Sequence, residues 1–331
     1  MAGRFVDIKK IVRSLRREDK MELLVVCDDQ DRKKIDKDFY PESVAIRDLK
    51  IPFSLIDFDK MVDDGDYSAA ISKVKPSELF REAIYRGWML SPNQYSRLFY
   101  ELYKKGVTLI NTPTNYNYCH MLPYCYESIK HVTPTTTWIN LPKEYNEEKE
   151  VEGWVSIHFS EIKDLLKPFG KRPIIIKDFV KSAKHFWDTA CFIPDASDSD
   201  KVLSTICKFN DVNCGVAGGL VFRQYVELES IDVIDTHSAS KVPASKEYRL
   251  FFLDGKPIDA SPYWTEGVYD EEEIPDGFGD IARRIPSRFF SMDVAKTKDG
   301  RWLVIELGDG QVSSLPHDCD VKAFYKKLFR L

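Results

Sequence analysis

The sequence has no apolar run long enough to cross a bilayer as a helix and no N-terminal stretch with the form of a secretory signal. A cytosolic protein without membrane contact is therefore expected. It also has no CxxC pair: Cys27, Cys119, Cys125, Cys191, Cys207, Cys214 and Cys319 fall at irregular spacings, which excludes the common zinc patterns and leaves reduced structural thiols as the reading. There is no Walker A glycine loop, no G-x-G-x-x-G after an expected strand and no G-x-S-x-G elbow. Those absences remove P-loop, Rossmann dinucleotide and α/β-hydrolase chemistry. The six histidines are scattered and announce no metal cluster, and neither repeats nor low-complexity tracts occur. With 43% hydrophobic and 31% charged residues, the composition fits neither a disordered nor a membrane class.

The formal charge of −5 argues against a general nucleic-acid binder. The segment RFVDIKKIVRSLRREDK is an exception, with seven basic residues against three acids. Phe5, Ile8, Val12 and Leu15 share a helical face there, as in an amphipathic surface helix or an arm for an acidic protein partner. At 331 residues the chain can hold two or three packed units. Residues 1–106 read as a small α/β unit, with strands in MELLVVCDD and IPFSLIDFD and a helix in PNQYSRLFYELYKKG. In that helix Tyr95, Leu98, Phe99 and Leu102 share a face before the Gly106 stop. Residues 107–331 read as an α+β unit, with LPKEYNEEKEVEG as a loop, FSEIKDLLKPFG as a helix, and strands in RPIIIKDFV, GGLVFRQYVEL and KEYRLFFLDGKPI.

The most informative run is SRFFSMDVAKTKDGRWLVIELGDGQVSSLP, which reads as a β-hairpin turning at Asp299-Gly300. A two-residue turn there sets Asp293 opposite Glu306 on one face, and a three-residue loop would shift that register. Opposed like charges repel. A divalent cation between them, most naturally Mg²⁺ shared with substrate phosphates, makes the pairing favourable. The alternative is two solvated acids on an edge hairpin.

Further candidates are cationic. Lys177 ends the strand IIIK, where an ammonium needs an anion such as a phosphate oxygen. Lys181, Lys184 and His185 follow, with Ser182 able to bond a phosphate, although a solvated basic loop reads the same way. Lys177 is not followed by the glycine of a KxDG nucleophile motif, which disfavours covalent nucleotidyl transfer. The end of GGLVFRQYVELES could offer backbone groups to a purine edge while Glu227 or Glu229 reaches ribose hydroxyls, but ordinary strands also end in glutamate. Arg249 suits a transferred phosphoryl group or an acyl phosphate; a salt bridge across the sheet is the alternative.

Taken in order, the strand lysine Lys177, the basic loop, FRQYVELE, EYRLFF and the acidic hairpin resemble the ATP-grasp fold over about residues 107–318. VIELGDGQVSSLP is similar to an ATP-grasp clade of phages and bacteria. The order LVFRQYVEL then EYRLFF also looks like the eukaryotic ATP-grasp factor that assembles translation initiation factor two. The resemblance implies an α+β ATP-grasp fold, two subdomains clamping ATP, preceded by a small N-terminal α/β domain. It implies Mg²⁺ on Asp293 and Glu306, phosphate contact by Lys177, an adenine hinge at Gln224, Tyr225 and Val226, and a ribose contact by Glu229. Most members convert a carboxylate to an acyl phosphate that an amine or thiol attacks, releasing ADP. Small-molecule or peptide carboxylates and amines are thus the expected partners. A non-catalytic ATP-binding assembly factor and a kinase-like phosphoryl transferase are the rival readings. Two departures stand out: Gly308 occupies the place of the usual metal-binding Asn, so Asp309 or Gln311 would have to substitute, and the phosphate loop SAKH has no glycine.

Overall fold

A computed structural model describes residues 21–142, 151–213, 216–233, 244–265, 267–270 and 274–331. The amphipathic segment around Phe5, Ile8, Val12 and Leu15 lies outside the described residues. Among the described residues no helix is long and apolar enough to cross a membrane. The chain divides into two compact units: residues 1–116 with 310–314 and 320–331, and residues 117–309 with 315–319.

In the first unit β1 (Glu22–Val26), β2 (Phe53–Ile56), β3 (Arg81–Arg86) and β4 (Val107–Leu109) form a parallel sheet in the order β2-β1-β3-β4. The helices α1 (Tyr40–Asp48), α2 (Phe58–Val62), α3 (Tyr67–Ala70) and α4 (Pro92–Lys104) connect them. The α4 helix starts at a capping box made by Ser91 and Gln94, and buries Tyr95, Leu98 and Leu102, with Phe99 half-buried. It stops before Gly106, whose φ of +73° and close approach to the Ser77 carbonyl leave no room for a Cβ.

β3 is central in the sheet yet begins and ends with arginine, so an apolar-run reading passes over it. Its last residue, Arg86, is buried. The guanidinium donates to both Glu42 oxygens, at 2.9 and 2.7 Å, and to the carbonyls of Gly310, Gln311 and Ser313. Tyr325 of the C-terminal helix Val321–Phe329 donates to the same carboxylate. Gln311 accepts from the Tyr85 N–H and donates to the Tyr95 hydroxyl. One buried ionic network thus anchors residues 310–314 and the C-terminal helix in this unit.

The second unit contains α5 (Pro113–His120) from residue 117 onward, α6 (Leu122–Ile129), α7 (Val151–Leu166), α8 (Ser199–Asn213) and α9 (Gly277–Ala282). The α7 helix begins at Val151, within the stretch expected to be loop. A small antiparallel sheet has the order β5-β8-β6-β7, from β5 (Thr136–Asn140), β6 (Ile174–Asp178), β7 (Phe192–Ile193) and β8 (Gly219–Gln224). Ile174, Ile176, Leu220 and Phe222 pack with Val155, Ile162, Val202 and Ile206 of α7 and α8. Side chains alternate across a strand, so Lys177, paired with Val221, and Arg223, paired with Ile175, leave the sheet on its other face.

A larger antiparallel sheet has the order β10-β9-β11-β12, from β9 (Glu247–Leu253), β10 (Lys256–Pro262), β11 (Phe289–Lys296) and β12 (Trp302–Asp309). β9 and β10 turn tightly at Asp254-Gly255, both with positive φ, which suits the right-handed twist of a hairpin. Tyr248, Leu250, Phe252, Phe290, Met292, Val294, Val304 and Leu307 bury one face against α6 and α9. Glu247, Arg249 and Asp293 alternate with these residues and lie on the opposite face.

Candidate active site

Asp293 pairs with Glu306, as the hairpin reading expects, but by a different route. The turn is a three-residue loop of Lys298, Asp299 and Gly300, closed by the Thr297 N–H donating to the Arg301 carbonyl at 2.7 Å. That loop shifts the register by one, and an irregularity between Asp293 and Val294 shifts it back. Ile305 is the extra residue, and it makes the strand bulge beside the acidic pair.

The acids are surrounded by cations. Asp293 is buried, and Arg249, its partner across the β9–β11 ladder, donates to both its oxygens at 2.8 and 2.7 Å. Arg249 therefore makes the salt bridge across the sheet, with Asp293 and not with Glu247 as its acid. Burial alone would lower the Arg249 pKa, but the Asp293 carboxylate raises it; burial pushes Asp293 up against the pull of Arg249. Glu306 is 41% exposed, and its Oε2 lies 3.5 Å from the Lys177 Nζ. Burial would raise its pKa, but Lys177, Arg249 and Lys184 hold it below the usual value.

Lys177 is 4% exposed and also donates to the Val180 carbonyl at 3.3 Å. Asp178 shapes the following loop: one oxygen accepts from the N–H groups of Val180 and Lys181, the other from Ala217. Ser182 bridges back to Lys177, and Lys184 opens a short 3₁₀ turn that also contains the exposed His185. The Lys184 ammonium lies 3.5 Å from the Tyr263 hydroxyl and over the Tyr263 and Trp264 rings, while Arg249 lies over the Tyr263 ring at 5.1 Å. Burial opposes the charge on Lys184, but Tyr263 and Glu247 raise its pKa.

Two residues of this cluster escaped the sequence reading. Glu247 is buried, and desolvation together with Asp293 and Glu306 pushes its pKa up to about 8. It stands two positions from Arg249 on the same strand face, so strict alternation would have found it. His120 is 7% exposed; burial lowers it to about 4, against the pull of Glu306.

At the strand exit, Gln224 accepts from Arg172 at 3.2 Å, and the Tyr225 ring lies edge-on to Trp187 and Phe192, which stack on each other. Val226 is half-buried beside them in sequence. Glu227 pairs with Lys298 at 3.2 Å, and Glu229 with Lys296 at 3.2 Å and Lys246 at 3.5 Å. Trp187–Cys191 forms a turn of π-helix, which placed Trp187 near the hinge without a sequence signal.

Residues 167–328 match the family model of an ATP-grasp domain, the third family of its clade. Residues 167–328 thus carry an ATP-grasp domain. The D-cycloserine synthetase DcsG aligns over 93% of this chain and 99% of its own, at TM-score 0.54 and 14% identity. The ATP-grasp ligase PsnB, complexed with minimal precursor, Mg and ADP, aligns over 94% of this chain and 97% of its own, at TM-score 0.51 and 13% identity. At these identities the likeness concerns the fold. The C-terminally truncated Cdc123 of Schizosaccharomyces pombe aligns over 59% of this chain and 85% of its own at TM-score 0.42 and 17% identity, too low to carry an argument. No curated protein matches the sequence.

The side chains of this ATP-grasp domain can be tested against the groups that the fold implies. Two opposed carboxylates are hard oxygen donors of the kind Mg²⁺ takes when phosphates and water complete its shell, and Glu306 is open enough to serve. Among the described residues no set of three or more His, Cys, Asp or Glu is placed to hold a metal. Asp309 is buried and three residues beyond Glu306 on a strand, hence on its other face, and Gln311 is engaged with Tyr85 and Tyr95. Asp309 is therefore not brought to the pair. Gly308 does share the Glu306 face, without a side chain to offer. Lys177 and Lys184 beside the acids fit phosphate groups, and the aromatic trio at Tyr225 fits a base.

Proposed function

We propose that the protein is an ATP- and Mg²⁺-dependent ligase that joins a carboxylate to an amine or thiol through an acyl phosphate, with release of ADP. The observation that carries this reading is the convergence of Lys177, Lys184 and Arg249 on the Asp293–Glu306 pair, within a fold named for nucleotide clamping. Asp293 and Glu306 would hold the metal, which when bound neutralises phosphate charge. Lys177 and Lys184 would bind the phosphate oxygens, and Tyr225 with Val226 would seat the base beside Glu229. Arg249, poised over Tyr263, would steady the phosphoryl group during transfer, an electrostatic contribution that matters most where charge develops. The candidate substrates are small-molecule or peptide carboxylates and amines.

Incubation with ATP, Mg²⁺ and pooled amino acids or peptides tests the reading. ADP and phosphate should form only when both a carboxylate and an amine are present. One observation favours a second reading, a protein that binds nucleotide without turnover: Arg249 occupies both Asp293 oxygens. Nucleotide binding without ADP formation in any pool would favour it.

A further inference from the structure

The loop of Lys298, Asp299 and Gly300 is followed by pairs of Lys296 with Trp302, Ala295 with Leu303 and Val294 with Val304. Continued without interruption, that register sets Asp293 against Ile305 and Glu306 against Met292. Met292 belongs to the buried apolar face of the large sheet, so Glu306 would turn its carboxylate into that layer and away from Lys177. The bulge prevents this, because Ile305 and Glu306 together oppose Asp293.

β12 is the edge of its sheet, so Val304 presents its backbone groups outward, and the bulge leaves those of Ile305 outside the ladder as well; one side chain from the small sheet meets both. Arg223 donates to the Ile305 carbonyl at 2.5 Å and to the Val304 carbonyl at 3.1 Å. It also donates to the Thr133 hydroxyl at 2.6 Å, which itself donates to the Val304 carbonyl at 2.7 Å. The Val304 N–H donates to the Val132 carbonyl at 2.7 Å. Arg223 is 4% exposed, and among the described residues it forms no ion pair. Burial lowers the Arg223 pKa to about 10, and the nearby Glu306 charge offsets that only in part; a buried guanidinium whose hydrogen bonds all go to neutral acceptors costs stability, and what it secures is the irregular backbone next to Glu306.

We infer that Arg223 is a positioning residue: by holding the carbonyls of Val304 and Ile305, it fixes the register that places Glu306 opposite Asp293 and beside Lys177. This rests on the reading of the two acids as Mg²⁺–ATP ligands, and the experiment separates the two ideas. In Arg223→Gln, without metal or nucleotide, amide hydrogen exchange over 302–307 and 291–296 should quicken at least tenfold. The neighbouring β9–β10 turn should be unchanged. With a saturating non-hydrolysable ATP analogue, the variant should lose at least tenfold in Mg²⁺ affinity, while analogue affinity in EDTA stays within threefold of wild type. Arg223→Lys, which keeps charge without the fork, should fall between.

If Arg223→Gln does not fold, Thr133→Val, which cuts one link to Val304, is read in its place and should show the same pattern at smaller size. Unchanged hairpin exchange, unchanged Mg²⁺ affinity, or an equal quickening across all strands would overturn the inference. If the wild type itself binds no Mg²⁺–nucleotide, the ligase reading fails and the exchange data alone decide whether Arg223 sets the register.

Discussion

Arg249 grips Asp293 through two parallel hydrogen bonds of 2.8 and 2.7 Å, so the cation expected to serve phosphate is joined to the acid expected to serve metal. Such fork-to-carboxylate pairs are strong and directional. Each Asp293 oxygen accepts one of these bonds and keeps a further lone pair, so the carboxylate could still serve a cation on the side that Arg249 leaves open.

The first prediction concerns Arg249. Arg249→Lys should keep ATP affinity within a few-fold of wild type and lower kcat, because a point charge cannot reproduce the fork. An interaction realised mainly in the transition state shows in kcat, whereas one made equally in the ground state shows in KM. Normal turnover in the lysine variant would make the arginine structural.

Lys177→Ala should weaken ATP binding by about 2 kcal/mol, the scale of a lost charge-assisted hydrogen bond. Isothermal calorimetry measures it. No stable protein–AMP adduct should form on the wild type, since Lys177 is placed to bind anions and is followed by Asp178, Phe179 and Val180.

Glu247 predicts a pH dependence. Its folded pKa is raised to about 8 from an ordinary 4.5, so between these values the folded state holds a proton that the unfolded state has released. The sign is then fixed: this contribution is full below the lower value and is lost as pH rises through the upper one. Melting temperature of the metal-free protein should carry a falling component from pH 5 to 8.5 that Glu247→Gln removes. Identical profiles for the two proteins would refute it.

Removing Arg86 should destabilise the first unit by about 3–5 kcal/mol, because Glu42 would remain buried without its partner. Arg86→Met, read by chemical denaturation, tests this. A change within experimental error would mean that Tyr325 alone satisfies Glu42.

Much of the fold was legible where pattern and burial agree. The apolar β1, the capped α4 helix and the strand carrying Lys177 follow from local sequence. β3 did not, since its terminal arginines disguise a central strand whose cation is satisfied by Glu42 and three carbonyls distant in sequence. The acidic pair was legible in outcome only: a two-residue turn and a three-residue loop with a compensating bulge give the same partner for Asp293, and no local signal separates them. Arg223 sat inside the expected hinge strand, yet its acceptors are carbonyls some 80 residues away. Pairing of Arg249 with Asp293 and not Glu247 depends on the β9–β11 register, which sequence does not reveal. Asp309 illustrates the converse, since counting along the strand from Glu306 already places it on the other face.

The central claim is that Asp293 and Glu306 together carry the metal of Mg²⁺–ATP, and calorimetric titration of Mg²⁺ into nucleotide-saturated protein tests it most directly. Asp293→Asn and Glu306→Gln, which keep shape and remove charge, should each abolish measurable Mg²⁺ binding and ADP formation while the circular dichroism spectrum is retained. Wild-type Mg²⁺ affinity in both folded variants would contradict the account.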